Sequence, residues 1–327
     1  MRALVTGASG FVGSHLAELL LEQGWQVKVL LRASSSRRWL GNKPLQIVSG
    51  DITNGDESLR QAVAGVDVVF HAAGLIRALH ARDFMRVNAA GTANLVQACL
   101  SGPHRPARLV LISSAGAQGP APGDRPLRES DPPRPVTAYG RSKLEAEREA
   151  LRAAGEMEVV IIRPGGIYGP RDYEFLPVFR SARLGLEVRL GLHPGRACIT
   201  HVRDVASCAL RAASVREATG QVFLVGGDNC SQTELTRLAA QVLGRKHLLT
   251  VPLPRALVRA AGALSSAMGR LSGRARLFTW DNTRRLLAYN WTIDASRAEQ
   301  VLGHRPQIPL PQGLAETAAW YRQQGLL

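Results

Sequence analysis

Short apolar runs alternate with longer amphipathic stretches along the first half of the chain. The strand-like runs, rich in β-branched residues, lie at residues 2–6, 27–31, 45–48, 66–71, 109–113 and 159–163. Between them, residues 83–100 and 138–154 carry apolar side chains at helical spacing. Repeated alternation of strand and helix predicts a parallel sheet with helices on both faces.

The pattern becomes less regular after about residue 164, where prolines interrupt shorter elements. Residues 201–213 still predict a helix, and residues 221–225 predict a strand. Residues 254–271 carry apolar side chains at helical spacing with arginines between them, which predicts a basic amphipathic helix. We expect this helix to pack on a C-terminal lobe, and contact with a membrane surface is the alternative.

Composition and charge narrow the class of protein. Hydrophobic residues make up 45% and charged residues 20%, as in ordinary folded proteins. The net charge is +15, and all but four of the 41 basic residues are arginines. Such a surface attracts phosphates, acidic ligands, nucleic acids and anionic membranes. The arginines are scattered and have no aromatic residues interleaved, so we expect no nucleic-acid partner.

The four cysteines are far apart and form no C-x-x-C pair, so we expect core thiols, no disulfide and no metal site. His71 and His201 have no second ligand at helical or turn spacing, and we expect both to bind backbone groups rather than a metal. The chain begins directly with a strand-like run, and no window of 18 residues is apolar throughout. A cytoplasmic protein is the expectation.

A glycine-rich turn joins the first strand to the first helix. Gly7, Gly10 and Gly13 have the spacing G-x-x-G-x-x-G, and Phe11 and Val12 lie between the last two glycines. Glycine permits a tight turn and close approach of the backbone to a pyrophosphate, and the helix N-terminus supplies free N–H groups. The turn therefore predicts a dinucleotide site.

This turn at the start of a parallel sheet predicts a Rossmann-type, doubly wound α/β fold. We expect the dinucleotide-binding domain to comprise residues 1–164 plus about 199–226. A smaller C-terminal α/β substrate lobe should comprise about 165–198 plus 227–327.

The end of the second strand indicates which dinucleotide binds. An acidic residue there would bind the ribose hydroxyls of NAD(H), but this strand ends at Arg32. A guanidinium suits a 2′-phosphate, so NADP(H) is favoured and NAD(H) stays possible. The alternative for Arg32 is a solvated surface arginine.

Tyr139 and Lys143 are four residues apart on a predicted helix, and so they share one face. We expect the lysine to lower the pKa of the phenol and make it a proton-transfer group. Ser114 follows a buried strand, where its hydroxyl could bind a substrate oxygen. Taken alone, such a tyrosine and lysine are usually a surface pair.

The motifs together resemble those of the extended short-chain dehydrogenases/reductases, a family that includes nucleotide-sugar epimerases, dihydroflavonol reductases and 3β-hydroxysteroid dehydrogenases. The resemblance covers nearly the whole chain and rests, beyond the glycine turn, on residues 50–52, 70–74, 88–92, 113–115, 139–143, 163–170 and 201–205.

The resemblance implies a mechanism in which Ser114 and Tyr139 bind the substrate oxygen, Tyr139 passes a proton, and the nicotinamide exchanges hydride. A homodimer is also implied. The resemblance assigns further cofactor contacts to Asp51, Ile52, Ala72, Ala73, Asn88, Lys143, Pro164 and Ile167. The alternative for Asn88 is a buried polar group of a helix.

Residues near the predicted site indicate which members of this family the chain resembles less. Dehydratases carry an Asp-Glu pair where Ala115 and Gly116 stand, so dehydration is disfavoured. Epimerases typically have an asparagine in place of Gly166 and an arginine in place of Ala197, although Tyr168 and Arg171 could still contact a substrate.

The apolar segment at residues 251–271 favours a reductase or dehydrogenase that acts on a bulky, possibly apolar ketone or alcohol. A nucleotide-sugar epimerase with tightly bound NAD is the alternative. A non-catalytic dinucleotide-binding sensor or assembly subunit is the third possibility.

Overall fold

The computed structural model describes residues 1–102, 104–191, 194–273 and 278–327. The strands in these ranges are β1 (Arg2–Thr6), β2 (Gln26–Leu31), β3 (Leu45–Ser49), β4 (Val68–His71), β5 (Arg108–Ile112), β6 (Glu158–Pro164), β7 (Gly166–Tyr168), β8 (Leu186–Leu190), β9 (Arg196–His201), β10 (Val222–Val225), β11 (Asp228–Ser231), β12 (Leu249–Leu253) and β13 (Asn290–Trp291).

The α-helices in the same ranges are α1 (Phe11–Glu22), α2 (Glu57–Val63), α3 (Ala81–Phe84), α4 (Gly91–Ser101), α5 (Ala115–Gln118), α6 (Ala138–Leu151), α7 (Leu176–Arg183), α8 (Val202–Ala212), α9 (Gln232–Val242), α10 (Arg255–Ser272), α11 (Trp280–Leu287), α12 (Ser296–Leu302) and α13 (Leu310–Gln323). A π-helical segment (Met85–Ala90) joins α3 to α4, and a 3₁₀ turn (Arg216–Ala218) precedes β10.

Seven strands form the main sheet in the order β3-β2-β1-β4-β5-β6-β10, and every neighbouring pair is parallel. Helices α1 and α8 bury Leu16, Leu20 and Val205 against one face. Helices α4 and α6 bury Leu95 and Ala150 against the other. Because both faces are covered, the central strands are mostly apolar, with polar residues near their ends. The predicted Rossmann-type, doubly wound sheet is confirmed.

The second half of the chain adds two smaller sheets. Strand β9 pairs with β7, β11 and β13, and β8 pairs with β12. A separate core containing Tyr168, Phe179, Leu314 and Tyr321 lies among α7, α9 and α13. The division into two domains at the boundaries given above stays a prediction.

The parallel register aligns the carboxyl ends of the central strands. Thr6 pairs with His71, His71 with Leu111, and Leu111 with Ile161. The loops that follow β1, β4, β5 and β6 therefore open at the same edge of the sheet, where doubly wound folds bind their ligands.

The helix predicted over residues 83–100 is present, but its middle is the π-helical segment. A π turn contains one more residue than an α turn and is common at functional sites. This segment contains Asn88, whose backbone carbonyl accepts a 2.6 Å hydrogen bond from the Thr92 hydroxyl. Apolar periodicity does not reveal such a local widening.

The predicted amphipathic helix is also present, as α10, but it packs through an unexpected face. Its buried residues are Val258, Gly262 and Gly269, whereas Leu264 and Leu271 are exposed. A Cβ atom on Gly262 would lie 2.1 Å from the Thr283 hydroxyl oxygen, so α10 contacts α11 through its smallest side chains.

Within the described ranges, no helix is long and apolar enough to cross a membrane. No group of three or more His, Cys, Asp or Glu side chains in this part of the chain is arranged to hold a metal ion. All four cysteines are free, and Cys99, Cys198 and Cys208 are buried, as expected of core thiols.

Four histidines are buried in positions that disfavour their charged form. Burial lowers the pKa of His71 to about 3, and it lowers the pKa of His15, His201 and His304 to about 4. Neither ring nitrogen of His304 has a hydrogen-bond partner among the described residues. Protonation of these imidazoles therefore favours the unfolded chain.

We expect the free energy of unfolding to decrease as the pH falls from about 6.5 to about 4. The unfolded chain binds more protons in this window because the folded pKa values are lowered, and each histidine contributes up to about 1.4 kcal/mol per pH unit. Denaturant titrations at several pH values would measure this slope. His304→Leu should make the slope shallower, and replacement of the exposed His104 by Gln should leave it unchanged. Equal slopes in the His304→Leu protein and the wild type would contradict the assignment.

Candidate active site

The glycine turn after β1 packs directly on the loop that follows β4. Gly7 has a φ of 74°, and a Cβ atom there would lie 2.6 Å from the Ala73 nitrogen and 2.7 Å from the Ala72 carbonyl carbon. A Cβ on Gly13 would lie 2.3 Å from the Gly7 oxygen. Neither position can accept a side chain without movement of the backbone, so the close approach depends on glycine.

The N-terminus of α1 has the features of an anion site. Gly10 is its N-cap and contributes no side-chain hydrogen bond, and the first turn, which opens with Phe11 and Val12, contains no acidic residue. Its first backbone N–H groups are therefore uncapped by a side chain and carry the positive end of the helix dipole. These features fit the pyrophosphate of a dinucleotide.

Arg32 directly follows β2 at this edge of the sheet. Its side chain is exposed, and among the described residues it has no ion-pair partner. Arg38 is engaged differently: its guanidinium lies 4.4 Å from the centre of the Trp39 ring and donates to Gln324. Arg32 is thus the freer of the two guanidinium groups for a ligand.

Two residues predicted to contact adenine follow β3. The Asp51 carboxylate accepts hydrogen bonds of 2.9 Å from the backbone N–H and the hydroxyl of Thr53. Ile52 is buried against Gly91 at the start of α4. Asp51 is therefore held in a fixed orientation beside the end of β2, and Ile52 contributes to the packing behind it.

Ser114 and Tyr139 meet because α5 and α6 are in close contact. A Cβ on Gly140 would lie 2.2 Å from the Gly116 carbonyl oxygen, so only glycine lets the helices approach this far. Ser114 caps α5, and its hydroxyl accepts a 3.0 Å hydrogen bond from the Gly116 N–H. The half-buried Tyr139 ring lies beside the same hydroxyl, close enough for Ser114 to act on the Tyr139 pKa.

Lys143 lies one turn after Tyr139, and its ammonium donates a 2.7 Å hydrogen bond to the Ile112 carbonyl at the end of β5. Burial lowers the pKa of Lys143 to about 8, and the nearby Glu147 opposes this shift. Burial also raises the pKa of Tyr139, against the opposing effects of Ser114 and Arg285. The expectation that Lys143 lowers the Tyr139 pKa is therefore wrong for this structure, because the ammonium is bound to the strand.

A buried ion pair between Glu147 and Arg163 joins α6 to β6. The Arg163 Nε donates to Glu147 at 2.9 Å, and one of its terminal nitrogens donates to the Gln118 carboxamide oxygen at 2.8 Å. Ser113 donates its hydroxyl proton to Glu147. The sequence reasoning missed this network. The available signal was the position of Glu147 four residues after Lys143, on the same helix face.

Asn88 ties the loop after β4 to α6. Its carboxamide oxygen accepts from the Leu75 N–H at 2.7 Å, and its nitrogen donates to the Leu75 carbonyl at 3.0 Å and to the Ser142 hydroxyl at 2.9 Å. These contacts match the alternative reading of Asn88 as a buried polar group of a helix.

His71 and His201, which were expected to bind backbone groups rather than a metal, both form hydrogen bonds within the protein. His71 contacts the hydroxyls of Thr6 at 2.7 Å and Thr92 at 2.9 Å, so its partners are side chains rather than the expected backbone groups. His201 accepts from the backbone N–H of Arg203 at 3.3 Å, as expected.

The residues after β6 divide into two groups. Pro164 ends β6, and Ile167 lies in β7 close behind it, at the edge of the sheet where the predicted nicotinamide contacts belong. Tyr168 is fully buried, with its ring packed against Phe175 and His201. The prediction that Tyr168 contacts substrate is corrected accordingly: it is a core residue.

Arg171 also has a structural role. It is the one described non-glycine residue with a positive φ, at 77°. Its guanidinium donates to the Ser14 hydroxyl at 3.0 Å and to the Glu18 carboxylate at 2.7 Å, which braces the loop against α1. A guanidinium held in this way is not available to clamp a substrate diphosphate, so this prediction is also corrected.

Asp281 is a further residue that the sequence reasoning missed. Its two carboxylate oxygens accept from the Ala138 N–H, at 2.9 and 3.0 Å, at the first position of α6. Helix α11 is thereby attached to the end of α6 that carries Tyr139. No local pattern signals a contact between residues so far apart in the chain.

The glycine turn and the Ser114, Tyr139 and Lys143 side chains lie at one edge of a single parallel sheet. Together they define the class as a nicotinamide-dinucleotide-dependent oxidoreductase of Rossmann-type fold. The chain belongs to the NAD dependent epimerase/dehydratase family, whose profile matches residues 3–226. The resemblance to extended short-chain dehydrogenases/reductases is confirmed.

Named relatives match over almost their whole length. A ceramide reductase from Caulobacter vibrioides is 32% identical over 99% of this chain and 95% of its own length. A 4-hydroxy-2-methyl-3-oxo-4-farnesyl-3,4-dihydroquinoline-1-oxide ketoreductase from Stigmatella aurantiaca is 30% identical over 96% of this chain and 95% of its own. The solved structure of MoeE5 with UDP-glucose and NAD is 29% identical, has a TM-score of 0.77 and covers 99% of each chain.

We expect Glu147→Gln to destabilise the protein strongly. The change leaves the buried Arg163 guanidinium without a counter-charge, which typically costs about 3 kcal/mol or more. Thermal and denaturant unfolding would measure the loss. The control is Glu149→Gln on the same helix, whose partner Arg152 is exposed, and there the loss should stay below about 1 kcal/mol. Equal losses in the two variants would contradict a special role for the buried pair.

Proposed function

We propose that the protein is an NADP(H)-dependent reductase or dehydrogenase that interconverts a bulky apolar ketone and its alcohol. The observation that carries this proposal is the proximity of the Ser114 hydroxyl and the half-buried Tyr139 ring, with the Lys143 ammonium one helical turn away. Two hydroxyl groups that converge beside the end of a strand suit a carbonyl oxygen.

Ser114, Tyr139 and Lys143 have separate roles in the proposed reaction. Ser114 and Tyr139 donate hydrogen bonds to the substrate oxygen, and Tyr139 transfers its proton to that oxygen as the carbonyl carbon is reduced. Burial keeps Tyr139 protonated, which is the form that reduction requires. Lys143 has a pKa of about 8, so it is largely charged at neutral pH, and we assign its ammonium to the nicotinamide ribose rather than to the phenol. A bound nicotinamide supplies or accepts the hydride.

The surroundings of Gly166 support an apolar substrate over a nucleotide sugar. A Cβ atom on Gly166 would lie 3.2 Å from the Phe175 ring and 3.3 Å from Ile199. Apolar side chains therefore crowd the position where epimerases typically have an asparagine. The names of the two relatives above, a ceramide reductase and a farnesyl-quinoline ketoreductase, describe substrates with large apolar parts.

A nucleotide-sugar epimerase with retained NAD is the second candidate, favoured by the likeness to MoeE5 in complex with UDP-glucose and NAD. The engagement of Arg171 with Glu18 counts against it. A non-catalytic sensor is disfavoured by the intact Ser114, Tyr139 and Lys143. We also propose that the protein is a cytoplasmic homodimer. This part of the proposal rests only on the family resemblance and the composition.

We expect Tyr139→Phe to reduce the rate of ketone reduction by about 10²- to 10⁴-fold, because the substrate oxygen loses its proton donor. Cofactor affinity, measured by NADPH fluorescence, should change little. Turnover would be followed by loss of NADPH absorbance with sterol-like and aromatic ketones. The control is Tyr289→Phe, which alters an exposed phenol. If Tyr139→Phe keeps the wild-type rate, Tyr139 is not the acid.

Arg32→Glu should weaken NADPH binding by about 10- to 100-fold and leave NADH binding unchanged or improved, because a carboxylate repels a 2′-phosphate and suits a ribose diol. Fluorescence titration with both cofactors measures the ratio. Arg216→Glu makes the same charge change at an exposed site before β10 and should leave the ratio unaltered. Tightly retained NAD in the purified wild type would overturn the NADP(H) assignment and favour the epimerase.

A further inference from the structure

The small residues of helix α10 face the protein, and its large apolar side chains face outward. It meets α11 through Val258, Gly262 and Gly269. Leu257, Leu264 and Leu271 are 60%, 64% and 89% exposed, and Met268 is 44% exposed. Their spacing of seven, four and three residues places all four side chains on one stripe of the helix.

This stripe is large for the surface of a soluble domain. Single exposed leucines are ordinary, but a continuous apolar row marks a contact site. The stripe runs from Leu257 to Leu271 and so extends for about 21 Å at 1.5 Å per residue. Trp280, which is half exposed at the start of α11, belongs to the same pair of helices.

The segment that carries the stripe is strongly basic. Residues 251–291 contain seven arginines and one acidic residue, Asp281, a net charge of +6. Asp281 is committed to the backbone of α6. Arg259 and Arg270 of α10 and Arg284 of α11 are exposed. Arginine side chains are long and flexible, so their charged ends can snorkel towards a layer of phosphates.

We propose that the α10 stripe docks on the surface of an anionic phospholipid bilayer. An apolar row with arginines nearby and almost no acidic residues has the chemistry of a helix that lies in the plane of the interface. A second copy of the chain would bring another net charge of +6 against this face, which disfavours self-association there. Lipid phosphates neutralise that charge instead.

The helix pair that bears the stripe is connected to the active site, so docking would bring the site to the membrane surface. This part of the proposal rests on the function proposed above. Asp281 at the start of α11 holds the Ala138 N–H, one residue before Tyr139. Arg285, one turn further along α11, is close enough to affect the Tyr139 pKa. A bilayer under α10 would therefore lie beside the lobe that borders the catalytic tyrosine, where a lipid-soluble ketone could enter without crossing water.

The test is flotation of the purified protein with vesicles. We expect wild-type protein to float with phosphatidylcholine vesicles that contain about 30 mol% phosphatidylglycerol and to bind far less to pure phosphatidylcholine. Salt at roughly 0.5 M should weaken the binding, because it screens the charges. The double variant Leu264→Glu/Met268→Glu should bind at least about tenfold less, because it places charge in the stripe.

The matched control is Leu184→Glu, which alters a leucine that is 73% exposed outside α10 and α11, and it should float like the wild type. Equal flotation of the stripe variant and the wild type would overturn the proposal, as would a wild type that ignores anionic vesicles. A dimer in analytical ultracentrifugation that the stripe variant abolishes would assign the stripe to a second copy and also overturn it. Flotation needs no turnover, so a protein that binds vesicles but reduces no ketone would refute the proposed function alone.

Discussion

The buried ion pair between Glu147 and Arg163 is the contact on which the arrangement of the active site depends. Removal of two charges from water costs several kcal/mol, and the pair is tolerable only where the remaining donors and acceptors are also satisfied. Ser113 and Gln118 complete it. The four residues lie on α6, on β6, just after β5 and on α5, and these segments carry or adjoin Ser114, Tyr139 and Lys143, the side chains proposed to be catalytic. Specific polar bonding therefore fixes the geometry of the reacting groups.

Close packing of backbone segments at two glycines also determines the geometry of the site. Gly7 against Ala73 and Gly140 against Gly116 are positions where a Cβ atom would overlap the neighbouring backbone. The first contact closes the phosphate turn on the loop after β4, and the second brings α5 onto α6. Glycine is needed at both because a methyl group would separate the segments by more than a hydrogen bond can bridge. The glycine turn and the Ser114–Tyr139 pair are thus both positioned by close packing at a glycine.

Features encoded in adjacent residues were predictable from the sequence. The parallel sheet follows from alternating apolar runs, and Tyr139 with Lys143 follows from helical spacing. Features that join distant residues were not, such as the bond between Asp281 and Ala138, which are 143 positions apart. The assignment of Arg171 to the substrate failed for a different reason. Its positive φ turns the side chain towards α1, and backbone conformation at a single loop residue has no signature in apolar periodicity.

Helix α11 connects the exposed helix α10 to the end of α6 that carries Tyr139. Gly262 of α10 packs on Thr283 with no room for a side chain between them, so the two helices behave as one body. That body is attached to α6 through one charge-assisted hydrogen bond, in which the Ala138 N–H is shared by both oxygens of Asp281, and such a bond contributes about 1.5–3 kcal/mol. A carboxylate at this position also complements the positive end of the α6 dipole. The N-terminal end of α6, which carries Tyr139, is therefore bonded to the helix pair that bears the apolar stripe.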